Sequence, residues 1–528
     1  VYKHRSSGKV ILEKQMESVI DGGADTLWSN TYYVYDDFHR LIFIIQPKAL
    51  EDVSNNSGPI VLSADKIREL CFEFIYDGQG RLQQERKPGE TAFTSYVYDL
   101  SGQAVLVQTP LDAGTDTWRV SFPDAYGRIT GTGTVKTALS RSDLQELFND
   151  DNPGPGTLQA YFTDEQLIGT LPADGSSFSG GISDFFLLTE TYYDRYDIPD
   201  PSGSYTDAIQ TALGMSYPVP AIPYNNDTVT VTFTNGQVTG SRTRILPNDH
   251  YPHTETGSWK NSVVRYNRNY SPLYSGTITT DEDGSELYRD YSGTLYDYLG
   301  RPDYTFHYVW NSRETSVHSP EQLEVLSYTY DYTRGFLSEL RRQQNGGAFQ
   351  KLATYNQDEL GRLKEETLGN MSEHRLYTYN LRGQLQGINE QYALTGQFQG
   401  TPKTFGEALR YDYGFVQSRN DGKISGMIWR GSNRRTAHAY GYSYDRTGRL
   451  TKALYQYRKA GATAWSNTEM DFTVSHLTYD LNGNILTMRQ RGQEASNTAP
   501  YLIDWLDYTY QPFSNKLQGV KDYNTIVP

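Results

Sequence analysis

The chain has 528 residues, a formal net charge of −15 and a pI near 5.1, so it lacks the basic footprint that phosphate-backbone binding needs and no nucleic-acid partner is expected. Its 37% hydrophobic residues include 44 tyrosines beside 20 phenylalanines and 7 tryptophans, a ring-rich composition that excludes a deep aliphatic core and suits thin sheets. Cys71 is the one cysteine, which excludes an intrachain disulfide, and no run of apolar residues is long enough for a membrane-spanning helix.

The start, "VYKHRSSGKV", has neither an initiator Met nor a charged region followed by an apolar run, and reads as an excised fragment or a processed product. It also holds a loose first copy of a recurring unit, "RSSGKV", with Arg5 in the acid's place, followed by "YDDFHRL" from residue 35.

The unit is clearest at 72–89, "FEFIYDGQGRLQQERKPG". Phe72, Phe74 and Tyr76 are two apart, which places them on one face of a strand. Asp77 can accept a hydrogen bond from a backbone N–H two residues on, and Gly80 can take the positive φ that ends a hairpin turn in a bulge. After Arg81, Leu82 faces one way and Gln83 and Glu85 the other, as in a sheet wet on one side. Each unit therefore reads as strand, turn, strand. The next copy follows at Tyr98, Asp99 and Gly102, and a looser one, "PDAYGRI", begins at residue 123.

The pattern divides the chain into N-terminal repeats at 1–130, an insertion at 131–226 and C-terminal repeats at 227–528. Inside the insertion, "SRSDLQELFND" predicts a short helix with Ser142 as N-cap and Gln145 three places later. "TDEQLIGTL" predicts another, with Thr163 as cap and Gln166 at its third position. Strands resume at "TVTVTFTNGQVTGSRTRIL", where Asn235-Gly236 signals a two-residue hairpin turn.

Further units lie at Tyr296, Asp297, Gly300 and Arg301; at Asp358, Gly361 and Arg362; at Tyr379, Asn380 and Gly383; at Tyr444, Asp445, Gly448 and Arg449; and at Tyr479, Asp480 and Gly483, with a loose copy, "YDYTRGF", from residue 330. Asp77 to Asp99 and Asp358 to Asn380 each span 22 residues whereas Asp445 to Asp480 spans 35, so the turn is kept and the loop opposite it varies. A two-stranded hairpin is marginal alone, so these units must pair edge to edge.

Catalysis needs one convergent set of groups with unequal pKa values, not the same turn many times, so Asp77 and its equivalents are read as turn residues and no catalytic residue is assigned. "DHYPH" brings His250 and His253 close to Asp249, but Pro252 and the lack of a further ligand nearby make it a solvated loop. "DEDG" at 281–284 lacks the spaced carboxylates and final Glu of a strong calcium loop and reads as an exposed turn. No metal or other cofactor is expected. Trp259, Trp310 and Trp429 are the first candidates for stacking on sugar rings, with core packing as the competing role.

The Tyr-Asp-x-x-Gly-Arg-Leu unit resembles the RHS or YD-repeat proteins of bacteria, and "TYYVYDDFHRLIFIIQPKA", "TETYYDRYDI", "LYTYNLRGQLQGIN" and "DGKISGMIWR" resemble segments of their polymorphic-toxin members over nearly all of 1–528. The resemblance implies an all-β fold: a spiralling sheet of β-hairpins forming part or all of a hollow shell, as in toxin-complex C components and teneurins, here with a small helix-containing insertion. It also implies a partner, a C-terminal polypeptide toxin held inside, with delivery or secretion machinery and a secreted or cell-surface location. Cores of this family often end in an Asp-Pro-rich self-cleavage motif, which "GVKDYNTIVP" does not contain, so no protease activity follows. The expected function is non-enzymatic encapsulation. The alternatives are a carbohydrate-binding or carbohydrate-processing surface protein and an adhesive repeat array.

Overall fold

The computed structural model describes residues 1–4, 7–20, 25–51, 61–163, 166–167, 170–194, 234–245, 258–266, 270–280, 286–312, 321–369, 373–397, 403–412, 416, 418–432, 436–493 and 499–524. Among them are thirty strands and a few short helices, so the chain is all-β in class. Strands pair antiparallel with their neighbours in chain order, as in Cys71–Tyr76 with Leu82–Arg86 and Glu286–Tyr296 with Pro302–Asn311. The register slips by one residue at the tyrosine before each turn, at Tyr76, Tyr98, Tyr296, Tyr379, Tyr444 and Tyr479. This is a bulge that the positive-φ glycine makes possible, and it adds local twist to the sheet.

The chain forms two compact units, Thr94–Thr354 on the one hand and Val1–Phe93 with Tyr355–Pro528 on the other. The unit Thr94–Thr354 holds the larger apolar core, in which Val97, Leu106, Trp118, Val120, Phe122 and Phe185 of the sheet meet Leu144 and Phe148 of a helix, Arg141–Phe148. Trp118 and Phe122 are fully covered, each contributing about 2–3 kcal/mol by leaving water. The helix is capped by Ser140, whose hydroxyl accepts from the Asp143 amide while Asp143 returns the bond, two residues before the predicted cap. Ser142 lies inside the first turn. Gln145 is buried and bonds both backbone groups of Tyr98, at 2.9 and 2.8 Å, completing a strand edge with a helix side chain. Thr163 is the last residue of the helix Ala160–Thr163, its hydroxyl donating to the Gln159 carbonyl at 3.2 Å, and the predicted helix after it lies largely outside the described residues.

In the same unit Tyr291 and Tyr308 stack across neighbouring strands with ring centroids 5.8 Å apart. A Cβ on Gly293 would stand 2.2 Å from the Phe306 ring, so only glycine lets that ring lie on the strand. Asn235 and Gly236 lie within the strand Thr234–Arg244, where Gly236 has φ 78° and its amide donates to Asp194 at 2.6 Å. The stretch that would form the other arm of the predicted hairpin lies outside the described residues.

The other unit is built of thinner material. One cluster is Ala393, Ala408, Ile428, Ala437 and Ala439, and another is Ala49, Leu70 and Cys71. Beside them Trp429, Tyr440, Tyr455 and Phe472 form a cluster of rings in which Tyr455 is fully buried.

Candidate functional site

The residues that recur are the candidate site, and one turn in atomic detail shows what they do. The Asp77 amide donates to the Arg81 carbonyl at 2.9 Å and the Gly80 amide to the Asp77 carbonyl at 3.0 Å, with Gly80 at φ 84°. One Asp77 carboxylate oxygen accepts the amides of Gln79 and Arg81, both at 2.9 Å, and the other accepts the Arg81 Nε at 2.7 Å. Burial alone would raise the Asp77 carboxyl, but the bonds from the Arg81 side chain and the Arg81 and Gln79 amides outweigh it and hold the group below its ordinary range. The aspartate is therefore an ionised staple inside its own turn.

The same geometry is found at Asp297 with Arg301, at Asp358 with Arg362 and at Asp445 with Arg449, where the Nε to Oδ2 distances are 2.8, 2.7 and 2.7 Å. Gly300, Gly361, Gly383, Gly448 and Gly483 all have φ between 77° and 88°. Where the basic residue is missing, an amide takes its place: Asn484 Nδ2 donates to Asp480 at 2.8 Å, and Asn380 Nδ2 to Gln384 at 2.9 Å. Asp99 binds the Gln103 amide at 2.8 Å and the Ser101 hydroxyl at 2.7 Å. The loose copies at Asp36, Asp124 and Asp331 keep the device with local changes. His39 takes the positive φ at 62° where a glycine is absent, and at Asp331 the turn is one residue longer, with Gly335 at φ 75°.

Links between successive turns carry no obvious signal in the sequence. In several repeats the tyrosine before the turn acid donates its hydroxyl to a carbonyl just after an earlier turn: Tyr76 to Leu41 at 3.0 Å, Tyr330 to Pro302 at 2.7 Å, Tyr379 to Leu363 at 2.8 Å, Tyr444 to Ile424 at 2.7 Å and Tyr479 to Leu450 at 2.6 Å. Tyr296 does the same to Pro272 at 3.1 Å. The basic residue reaches the other way. Arg301 lies over the Tyr330 ring at 4.1 Å and donates to the Gly335 carbonyl at 3.0 Å, while Arg449 lies over Tyr479 at 4.9 Å and donates to the Asp480 carbonyl at 3.1 Å. Each such bond contributes about 0.5–1.5 kcal/mol and each stacked cation about 0.5–1 kcal/mol, so these hairpins are tied to their neighbours. Burial pushes the hydroxyls of Tyr76, Tyr330, Tyr444 and Tyr479 above their ordinary value, which keeps them protonated as donors.

The unit that combines Val1–Phe93 with Tyr355–Pro528 is also joined across its two chain segments. Lys48 Nζ meets Asp480 at 2.8 Å, the Lys48 amide donates to Asn482 at 3.0 Å, and Gln46 accepts from Asn482 at 3.0 Å and Asn515 at 3.1 Å. Asp480 therefore staples its own turn and anchors a segment from the far end of the chain. Its sequence neighbourhood differs from that of Asp445 in having Asn484 where Arg449 stands, which does not reveal the pairing with Lys48.

Other candidates do not assemble. His250, His253, Asp249 and the 281–284 segment lie outside the described residues. Among the described residues no group of three His, Cys, Asp or Glu side chains is placed to hold a metal ion. Burial raises the carboxyls of Asp303 and Glu407, yet the two belong to different units. The three tryptophans have ring faces covered: Trp259 by Arg242 and Arg244, each 4.5 Å from the ring centre, Trp310 by Arg289 at 5.0 Å, and Trp429 by Tyr440 at 5.5 Å and His438 at 5.4 Å. No helix among the described residues is long and apolar enough to cross a membrane.

No protein-family model matches the chain, and no curated protein matches it. Solved structures do. A crystal structure of TcdB2-TccC3-Cdc42 is similar over 98% of this chain and 24% of its own at 12% identity and a TM-score of 0.25. One of TcdB2-TccC3 is similar over 96% and 25% at 12% identity and a TM-score of 0.24. The Photorhabdus luminescens Tc holotoxin pore follows, over 98% and 27% at 13% identity and a TM-score of 0.18. The chain thus spans about a quarter of the length of the chains it matches. At these scores the backbones do not superpose as wholes, and the reading of function rests on the residues of this chain.

Proposed function

We propose that this chain is a non-enzymatic wall: a run of stapled hairpins that walls off space around a polypeptide and keeps it from its target. The observation that supports the reading is the occupation of the repeated polar groups. Turn carboxylates such as Asp77 hold their own turns, arginines such as Arg301 tie one turn to another, and tyrosine hydroxyls such as that of Tyr330 tie one strand to an earlier one. Groups committed in this way do not form one convergent set that could transfer a proton or attack a substrate. The resemblance to RHS-repeat toxins makes the enclosed polypeptide a C-terminal toxin, held by exclusion, with the assembly secreted or displayed at a cell surface by delivery machinery.

Small-angle X-ray scattering tests the wall. A hollow particle gives a distance distribution with its maximum shifted well toward its greatest dimension, whereas a near-symmetric distribution, as for a solid globular particle of the same mass, contradicts the proposal. The covered faces of Trp259, Trp310 and Trp429 weigh against a glycan-stacking surface. Strong glycan binding abolished by Trp429→Ala would overturn the proposal in favour of that alternative.

A further inference from the structure

In the unit that combines Val1–Phe93 with Tyr355–Pro528, each of the two chain segments has strand pairs and apolar contacts of its own. Val10–Ile20, Asp25–Tyr35, Leu41–Ile45, Cys71–Tyr76 and Leu82–Arg86 pair in that order, with the cluster of Ala49, Leu70 and Cys71 packed on Phe43 and Ile45. On the other side the strands from Glu373–Tyr379 to Leu517–Asp522 pair in chain order, and the cluster of Ala408, Ile428 and Ala439 lies among them.

Among the described residues, a row of polar contacts joins the two segments in register, as successive turns of one meet successive elements of the other. Gln15 Nε2 donates to the Thr447 carbonyl at 3.2 Å, the Ser29 hydroxyl to the Leu481 carbonyl at 3.3 Å, and the Lys48 ammonium to Asp480 at 2.8 Å and the Ser514 carbonyl at 3.2 Å. The Lys48 amide donates to the Asn482 side chain at 3.0 Å, Lys66 Nζ lies 5.3 Å from the centre of the Phe513 ring, and Lys516 stands 3.8 Å from Glu69.

The two kinds of joint differ in what it costs to part them. Pulling a strand from its sheet breaks a whole ladder and uncovers apolar surface, whose burial is the largest favourable part of folding. Parting the row returns amides, hydroxyls and charges to water, which satisfies each of them, so every bond lost there has a small net cost. Even the covered Lys48–Asp480 pair regains its hydration on parting, which offsets much of the attraction given up.

We propose that this polar seam is the joint at which the unit opens: Val1–Phe93 parts from Tyr355–Pro528 along it while the strands of both segments stay paired. Such opening does not depend on whether the chain encloses a cargo, and a wall that does so would release its contents there.

Native-state hydrogen exchange of the whole chain tests it. The Lys48 amide, whose acceptor Asn482 lies across the seam, reads the opening; the Ala49 amide, bonded to the Gln46 carbonyl at 3.0 Å, reads local fraying; and the strands Leu41–Ile45 and Cys71–Tyr76 read the sheet. Lys48 is expected to be less protected than Ala49 and at least about tenfold less protected than the strands. It should exchange about two- to tenfold faster again in Ser29→Ala, which loses a bond elsewhere on the seam, and in Lys516→Glu, which sets a second carboxylate beside Glu69, while the strands keep their rates. The Lys516 side chain is 47% exposed, so Lys516→Glu decides the matter alone if Ser29→Ala fails to fold. The seam is not a joint if Lys48 is as protected as the strands, if the strands accelerate together with it, or if Lys48 and Ala49 exchange alike and neither variant changes them.

Discussion

Lys48 and Asp480 are 432 residues apart in the chain and 2.8 Å apart in space, and the same lysine ammonium donates to the Ser514 carbonyl at 3.2 Å and lies over the Tyr510 ring at 5.2 Å. Both side chains are largely covered, at 15% and 6% exposure. Removing one partner of such a pair leaves a covered charge without its counter-ion, so Lys48→Met is expected to lose about 3 kcal/mol in urea unfolding. Hydrogen exchange should speed up most at residues 480–484 and 511–516. An unchanged midpoint would show that the two chain segments are not held there.

The turn aspartates give the fold an acid limit. For Asp77, Asp124, Asp297, Asp445 and Asp480, burial would raise the carboxyl, but hydrogen bonds from the turn and its partners hold each below an ordinary 3.8. A depressed folded-state pKa adds stability above the unfolded value, and that stability is lost as pH falls through the folded one. Thermal unfolding should therefore be flat from neutral pH to about 5 and drop steeply below 4. Asp297→Asn together with Asp445→Asn should flatten the drop.

The turn glycines separate strain from crowding. A Cβ on Gly300, at φ 77°, meets nothing within 4 Å, whereas one on Gly448, at φ 86°, would fall 1.7 Å from the Lys423 ammonium. Gly300→Ala should cost about 1–2 kcal/mol, the left-handed backbone penalty alone, and Gly300→Asn less. Gly448→Val should cost more, because Lys423 must also release the Gly448 carbonyl it binds at 2.7 Å. Melting temperatures of the four proteins rank these effects.

Arginine and lysine should not be equivalent at the repeat position. Arg301 uses one guanidinium to grip Asp297, bond the Gly335 carbonyl and cover Tyr330, which a lysine ammonium cannot do at once. Arg301→Lys and Arg301→Met should both lose about 1–2 kcal/mol, and combining either with Tyr330→Leu, which removes the ring that Arg301 covers, should lose less than the sum of the separate changes. Additive losses would mean that the two repeats are not coupled through that arginine.

Much of this was legible because a turn is local chemistry. Asp77, Gly80 and Arg81 lie within five residues of one another, and their bonds follow from spacing alone. The alternating rings likewise announced the strands. The cap lies at Ser140, two residues before the Ser142 that the spacing predicts, because both serines precede acceptable third-position partners and Gln145 is committed to the Tyr98 backbone. The Tyr330 to Pro302 bond and the Lys48 to Asp480 pair were not legible, since each depends on which strands become neighbours in space.

Protease protection tests the enclosing wall most directly. A polypeptide carrying a cleavage site, appended after residue 528, should resist a protease that digests the same polypeptide when free, and should become cleavable when Lys48→Met and Asp480→Asn are introduced together. Cleavage at the free rate in the parent chain would contradict the proposed enclosure.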